Sequence, residues 1–290
     1  MPEYVQLGSR RVGPSEPCLI VAEIGANHNG DVATALRMIR AARDAGADVV
    51  KFQKRTVELC IPPEQHTQER DTPWGRMTYL DYRRRLEFGE AEYNSIAELC
   101  QMIGVAWTAS VWDEPSLAFL LTYDPPWIKV PSACLTDISL LEACRRSGKP
   151  VVASTGMSTL AQIKRAVITL GPDRLVLLHC TSTYPCLKEE LNLSAIGTLR
   201  EQFRVPVGYS GHHSGIWDGL CAAVLGACMV EKHFCLDRSS WGSDQSTSLE
   251  PSGFARMVRY IRNWETSRGD GVKRIYDSEL PVLKRLRRVQ

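Results

Sequence analysis

Short apolar runs alternate with amphipathic stretches along most of the chain. The runs are 18–25 (CLIVAEIG), 48–53 (DVVKFQ), 105–110 (VAWTAS), 127–132 (WIKVPS), 150–155 (PVVAST), 174–181 (RLVLLHCT), 205–210 (VPVGYS) and 228–234 (CMVEKHF). Each is too short for a buried helix, and most are rich in Val, Ile or Leu, as in strands covered on both faces. The stretches between them carry helical periodicity. In the first, Asp31 is placed to cap, Val32, Leu36, Ile39 and Ala42 share a face, and Gly46 stops the helix. Further helices are expected over 91–103, 114–122, 137–147, 159–170, 192–202, 215–226 and 251–265. Parallel strands need crossover connections, so eight strands each followed by a helix imply a parallel sheet. The count predicts a closed (β/α)8 TIM barrel.

With 290 residues the chain has room for one such barrel, which takes roughly 250. The expected organisation is a single barrel domain over 1–265 with an irregular insertion at 54–90 after the second strand, then a polar tail over 266–290. Loops of that length are usually functional or covering. Hydrophobic residues at 44% and charged residues at 23% are ordinary for a folded protein. A net charge of +2 gives no reason to expect nucleic acid as a partner. The basic clusters Arg83–Arg85 and Lys284–Arg288 read as solvated helix surface. No long apolar run and no signal-peptide core appear, so no membrane association and a cytoplasmic location are expected. None of the ten cysteines forms a C-x-x-C pair, and reduced, mostly buried thiols are expected.

The strand ends carry the chemistry. Barrel active sites gather at the C-terminal ends of the strands, and here nearly every run closes on a polar side chain. In strand order these are Glu23; Lys51 and Gln53; Thr108; Lys129 and Ser132; Ser154 and Thr155; His179 and Thr181; Ser210 and His212; and Glu231, Lys232 and His233. One buried lysine is most simply a structural ion pair, but lysines, glutamates and histidines at equivalent strand ends describe a pocket for an anion and a metal. His212 and His233 end neighbouring strands, and with Glu23 from the adjacent first strand they can hold a divalent ion with positions left open. A nitrogen and oxygen shell without thiolate suits manganese, magnesium or cobalt better than structural zinc. Lys51 and Lys129 supply donors for a phosphate and a carboxylate. A Schiff-base lyase, with one lysine as nucleophile, is not excluded by the two lysines taken alone.

The motifs AEIGANHNG (22–30), VKFQK (50–54), IKVPSA (128–133), ASTGMS (153–158), LHCTSTYP (178–185), GYSGH (208–212), EKHF (231–234) and GSDQSTSLEP (242–251), in this order, resemble the N-acetylneuraminate (sialic acid) synthases and their relatives. The stretch 72–88 looks most like the animal-type branch. The resemblance implies a metal-dependent barrel that condenses phosphoenolpyruvate with an open-chain sugar aldehyde to give a sialic-acid-type 2-keto-3-deoxy acid. It implies His212 and His233 as metal ligands, with Mn2+ or Mg2+ as the ion, and Glu23 as the acid that positions water or substrate beside it. Lys51, Thr108, Lys129, Ser132, Ser154 and Ser210 correspond to the phosphoenolpyruvate site, and Gln53, Ser182, Tyr184 and Asp244 to the sugar site. The sequence departs from the pattern at Cys134, where an acid that binds sugar hydroxyls is usual, at Ser182, where some relatives carry an amide, and at Gln245, where His is usual. Relatives commonly carry a C-terminal antifreeze-like domain that completes the partner's sugar pocket, whereas this chain stops at Gln290. A homodimer is expected. A barrel that only binds an anion or a partner protein is the non-enzymatic alternative.

Overall fold

The computed structural model describes residues 4–289. A short antiparallel hairpin, β1 (Val5–Leu7) and β2 (Arg10–Val12), comes first, followed by β3 (Leu19–Glu23) and β4 (Val49–Lys54). A second hairpin, β5 (Glu69–Thr72) and β6 (Gly75–Thr78), precedes β7 (Ala106–Val111), β8 (Ile128–Val130), β9 (Val151–Ser154), β10 (Leu175–Cys180), β11 (Val207–Gly211) and β12 (Met229–His233). Strands β3, β4 and β7–β12 pair in parallel and close on one another, β12 against β3, into the expected eight-stranded barrel.

The helices follow the same order. α1 (Val32–Asp44) follows β3; α2 (Val57–Cys60) and α3 (Tyr79–Leu86) lie in the insertion; α4 (Glu90–Ile103) completes the crossover from β4 to β7. α5 (Glu114–Leu121), α6 (Ile138–Arg146), α7 (Leu160–Leu170), α8 (Ala195–Phe203), α9 (Trp217–Val224) and α10 (Pro251–Ser267) follow β7 to β12 in turn, and α11 (Leu280–Leu286) lies in the exposed tail. Asp31 caps α1, accepting from the N–H groups of Ala33 and Thr34 at 3.3 and 3.0 Å. The buried face of α1 is Ala35, Met38, Ile39 and Ala42; Val32 and Leu36 sit at its margin, so the face is turned slightly from the expected one. None of the helices among the described residues is long and apolar enough to cross a membrane. All ten cysteines are free, and eight are buried.

Alternation along each strand divides the core in two. Ile20, Ala22, Val50, Phe52, Val130, Ala153, Leu177 and Val230 face outward and pack under the helices. Leu19, Val21, Val49, Val152, Val176, Leu178 and Met229 fill the barrel, where Val5, Leu7 and Val12 of the first hairpin join them and plug the end at which the strands begin. Only the opposite end, where the strands finish, is free to hold polar groups.

The 54–90 segment is folded, not irregular as the sequence suggests. Its two hairpin strands are mostly exposed and lack the apolar alternation by which strands are recognised. Aromatic contacts dock it on the loop after β12, with Trp74 and Tyr82 edge-on to Trp241 at 5.7 and 5.3 Å. Gly30 (φ +75°) makes the other close approach, since a Cβ there would lie 2.1 Å from the Arg85 carbonyl oxygen. Gly75 (φ +101°) has open space around it. Gly30→Ala should therefore lose about 2–3 kcal/mol in urea unfolding, and Gly75→Ala only the conformational part, about 1 kcal/mol. Equal losses would mean that the insertion does not press on Gly30.

Candidate active site

At the open end of the barrel a cavity of about 200 Å³ is lined by Glu23, Lys51, Gln53, Ser110, Trp112, Lys129, Ser132, Ser154, Ser182, Tyr184, Ser210, His212, Glu231 and His233, among others. Strand register assembles it. Glu23 lies beside Lys51 on one side and His233 on the other, Ser210 beside Glu231, and Ser110 beside Lys129. Residues two apart on a strand face the same way, so Glu231 and His233 enter the barrel together, as do Lys51 and Gln53.

Four charges meet at its floor, all nearly inaccessible to water. Lys51 Nζ lies 2.5 Å from Glu23 Oε2 and 3.6 Å from Glu231 Oε1, and Lys129 Nζ lies 3.5 Å from the same Glu231 oxygen. Hydroxyls complete the set: Lys51 donates to Ser110 and Lys129 to Ser154, both at 2.8 Å, and Ser210 donates to Glu231 at 3.1 Å. The two carboxylates are driven apart. Burial raises Glu23 despite Lys51 beside it, whereas for Glu231 the combined pull of Lys129 and Lys51 overcomes burial and holds it down to about 2. Burial lowers Lys129. Lys51 opposes the same burial with two carboxylates and is raised.

Above this floor His212 and His233 face each other with ring centroids 5.4 Å apart, and the Tyr184 ring covers His212 at 4.1 Å. His212 Nδ1 lies 2.7 Å from the Thr181 carbonyl oxygen, which fixes the tautomer and leaves Nε2 for a ligand. Burial lowers His233 to about 4, so its ring is neutral, and its buried Nδ1 has no hydrogen-bond partner, with Asp244 Oδ2 3.6 Å away. Two imidazoles with free nitrogens at this separation suit a divalent ion whose other positions go to substrate and water. No group of three or more His, Cys, Asp or Glu side chains among the described residues is arranged to hold a metal. Glu23 does not join the imidazoles as a third ligand, because Lys51 and Gln53 (2.9 Å to Oε1) engage its carboxylate.

Most of the expected site residues converge here, and the exceptions follow strand depth or strand phase. Thr108 sits one pleat too deep: its hydroxyl donates to the Trp127 carbonyl at 2.8 Å below the cavity, and Ser110 takes the place expected of it. His179 points outward and spends its Nε2 on the Leu191 carbonyl, Thr155 donates to the Leu178 carbonyl, and Lys232 points out of the barrel to Asp218 and the His213 carbonyl. Asp244 stands beside His233 without lining the floor. Glu231, bridging both lysines, is the central group whose weight the sequence understated; its two-residue spacing from His233 was the available signal. Cys180 was also missed. Its Sγ lies 3.7 Å from His212 Nδ1, and against the cost of burial the contact draws the thiol down to about 7 and the imidazole up. Gly156 keeps the serines in place, since a Cβ there would lie 2.2 Å from Ser182 Oγ and 2.9 Å from Ser132 Oγ.

Residues 38–273 match the family model described as the NeuB family. The chain is 36% identical to N,N'-diacetyllegionaminic acid synthase of Legionella pneumophila, over 97% of this chain and 82% of that protein. It is 38% identical to N-acetylneuraminate-9-phosphate synthase of Mus musculus, over 96% of this chain and 78% of the relative. Among solved structures, the N-acetylneuraminic acid (sialic acid) synthetase of Leptospira borgpetersenii, crystallised with citrate, superposes with a TM-score of 0.87 at 33% identity, covering 100% of this chain and 99% of that one.

Glu231 makes the quartet sensitive to acid. Its folded pKa of about 2 lies below the ordinary 4.5, so its stabilising contribution is complete above pH 4.5 and is lost as the pH falls towards 2. Glu231→Gln leaves Lys129 buried without a carboxylate and should cost about 3–5 kcal/mol at pH 7. In urea unfolding across pH, the gap between wild type and variant should narrow from pH 4.5 towards 2. A gap that stays constant would show that Glu231 does not titrate as placed.

Proposed function

The chain belongs to the NeuB family and is an enzyme that builds a carbon–carbon bond with phosphoenolpyruvate; from that premise we propose that it joins phosphoenolpyruvate to an open-chain sugar aldehyde with the help of a divalent metal. The product is a sialic-acid-type 2-keto-3-deoxy acid, with phosphate released. One observation carries the reading: Lys51, Lys129, His212 and His233 line the same cavity at the end of the barrel where the strands finish.

The donor half is the floor. The ammonium groups of Lys51 and Lys129, with the hydroxyls of Ser110, Ser132, Ser154 and Ser210, bind the phosphate and carboxylate of phosphoenolpyruvate in a site shielded from water, where fixed donors act most strongly. Glu23, raised by burial despite Lys51 beside it, is the floor carboxyl placed to exchange a proton with the substrates. His212 and His233 would hold the ion, which when bound supplies Lewis acidity toward the acceptor's aldehyde oxygen. Gln53, Ser182, Tyr184 and Asp244 orient the acceptor so that C3 of phosphoenolpyruvate meets the aldehyde carbon. Glu231, held ionised, offsets the positive charge that develops at C2 until water adds there and phosphate leaves. The same reading makes the protein a cytoplasmic homodimer with Mn2+ or Mg2+ at the histidines.

A Schiff-base lyase would use Lys129, the lysine lowered by burial, but its ion pair with Glu231 favours the ammonium form. Isotopically labelled phosphoenolpyruvate offered with a panel of aldoses and hexosamines should release phosphate only with an acceptor present. Chelation, His212→Ala or His233→Ala should each cut turnover by about 100-fold or more, and added divalent metal should restore the chelated enzyme alone. Full turnover without metal would end the Lewis-acid role, and borohydride trapping of pyruvate on Lys129 would favour the lyase.

A further inference from the structure

Behind the two imidazoles, on the side of β12 that faces the helices, lies a charged group that the cavity does not use. Lys232 stands between Glu231 and His233 in sequence and points the opposite way. Its Nζ donates to Asp218 Oδ2, on α9, at 2.9 Å and to the His213 carbonyl oxygen at 2.6 Å. The Tyr209 hydroxyl donates to the same Asp218 oxygen at 2.9 Å. Lys232 and Asp218 are wholly buried, and Asp218 Oδ1 has no hydrogen-bond partner. The layer between strands and helices around them is apolar, with Val230, Ala222 and Met257 among its members.

An ion pair in such a place returns little net stability, because desolvation offsets the attraction, and an apolar pair of similar volume often folds as well or better. What an apolar pair could not do is hold the backbone on both sides of His212. On one side Gly211 passes so close that a Cβ there would lie 2.9 Å from Asp218 Oδ2 and 2.5 Å from the Tyr209 ring. On the other, the His213 carbonyl is tied to Lys232, and the His213 ring Nδ1 lies 3.1 Å from the Cys186 carbonyl oxygen. The Cys186 N–H in turn donates to the His212 carbonyl at 3.0 Å. Lys232 is itself the residue before His233, so one buried cluster grips the chain next to both imidazoles. We propose that Lys232, Asp218 and Tyr209 are positioning residues for the metal: they fix the backbone beside His212 and His233 from the helix side and so set the separation and aim of the two rings. The inference rests on the reading of those histidines as ligands of a divalent ion.

Calorimetric titration of the whole chain with Mn2+, and separately of the metal-free chain with phosphoenolpyruvate, tests the clamp. The combined substitutions Lys232→Met, Asp218→Leu and Tyr209→Phe remove the polar cluster without leaving a buried charge unpaired. This variant should bind Mn2+ about tenfold or more weakly and phosphoenolpyruvate as wild type does, and saturating Mn2+ should restore its turnover. Should it fail to fold, Tyr209→Phe alone decides, with a smaller loss of Mn2+ affinity and phosphoenolpyruvate binding again unchanged. Unaltered Mn2+ affinity in these variants, or an equal loss for both ligands, overturns the clamp. His212→Ala separates the two readings. If it loses Mn2+ while the cluster variant keeps it, the clamp falls and the metal reading stands; if it binds Mn2+ as wild type does, the metal reading falls and takes the clamp with it.

Discussion

The open end of the barrel is organised by ion pairs that would be unfavourable almost anywhere else in the chain. Removing four ionised groups from water costs several kcal/mol each. The three Lys–Glu contacts, at 2.5 to 3.6 Å, return about 5 kcal/mol apiece at the effective dielectric of buried protein sites. Like charges within the set, Lys51 beside Lys129 and Glu23 beside Glu231, subtract from that return, so the quartet is weak evidence for net stability. Its effect is to hold two ammonium groups, two carboxylates and three hydroxyls in fixed positions with water excluded, which is what recognition of a small multiply charged anion requires.

Strand register makes that arrangement possible. Parallel pairing puts Glu23 level with Lys51 and with His233, and Ser110 level with Lys129. The same alternation that lines the lower barrel with Leu19, Val21, Val49 and Val152 turns polar one pleat higher. The first hairpin seals the other end with Val5, Leu7 and Val12, so the apolar layer beneath the charges stays dry and their low-dielectric surroundings are maintained.

Much of this was legible in the chain. All eight barrel strands could be read because strands buried on both faces are short unbroken apolar runs, and the polar residues that close them gave both lysines, both histidines and Glu23. Strand phase could not be read so directly. Glu231 and Lys232 are equally plausible as strand-end groups until it is known which faces the axis; Thr108 and Ser110 face the same way and differ only in depth, and both phase and depth depend on pairing with distant strands. The insertion was opaque for a different reason. Its strands are polar and its docking rests on a few aromatic contacts, such as Tyr82 with Trp241, between segments remote in sequence.

The two halves of the mouth are built on different materials, and this divides their roles. The charged floor is carried by strand residues whose positions the barrel dictates, and a shift of one would disturb its neighbours across the sheet. The rim draws on loops: Ser182 and Tyr184 after β10, Asp244 after β12 and Cys134 after β8. Loops can exchange charge without moving the barrel. A neutral thiol at Cys134, on such a loop, leaves the Lys51–Glu231–Lys129 floor untouched. The rim of the mouth is in this way mechanically separable from its charged floor.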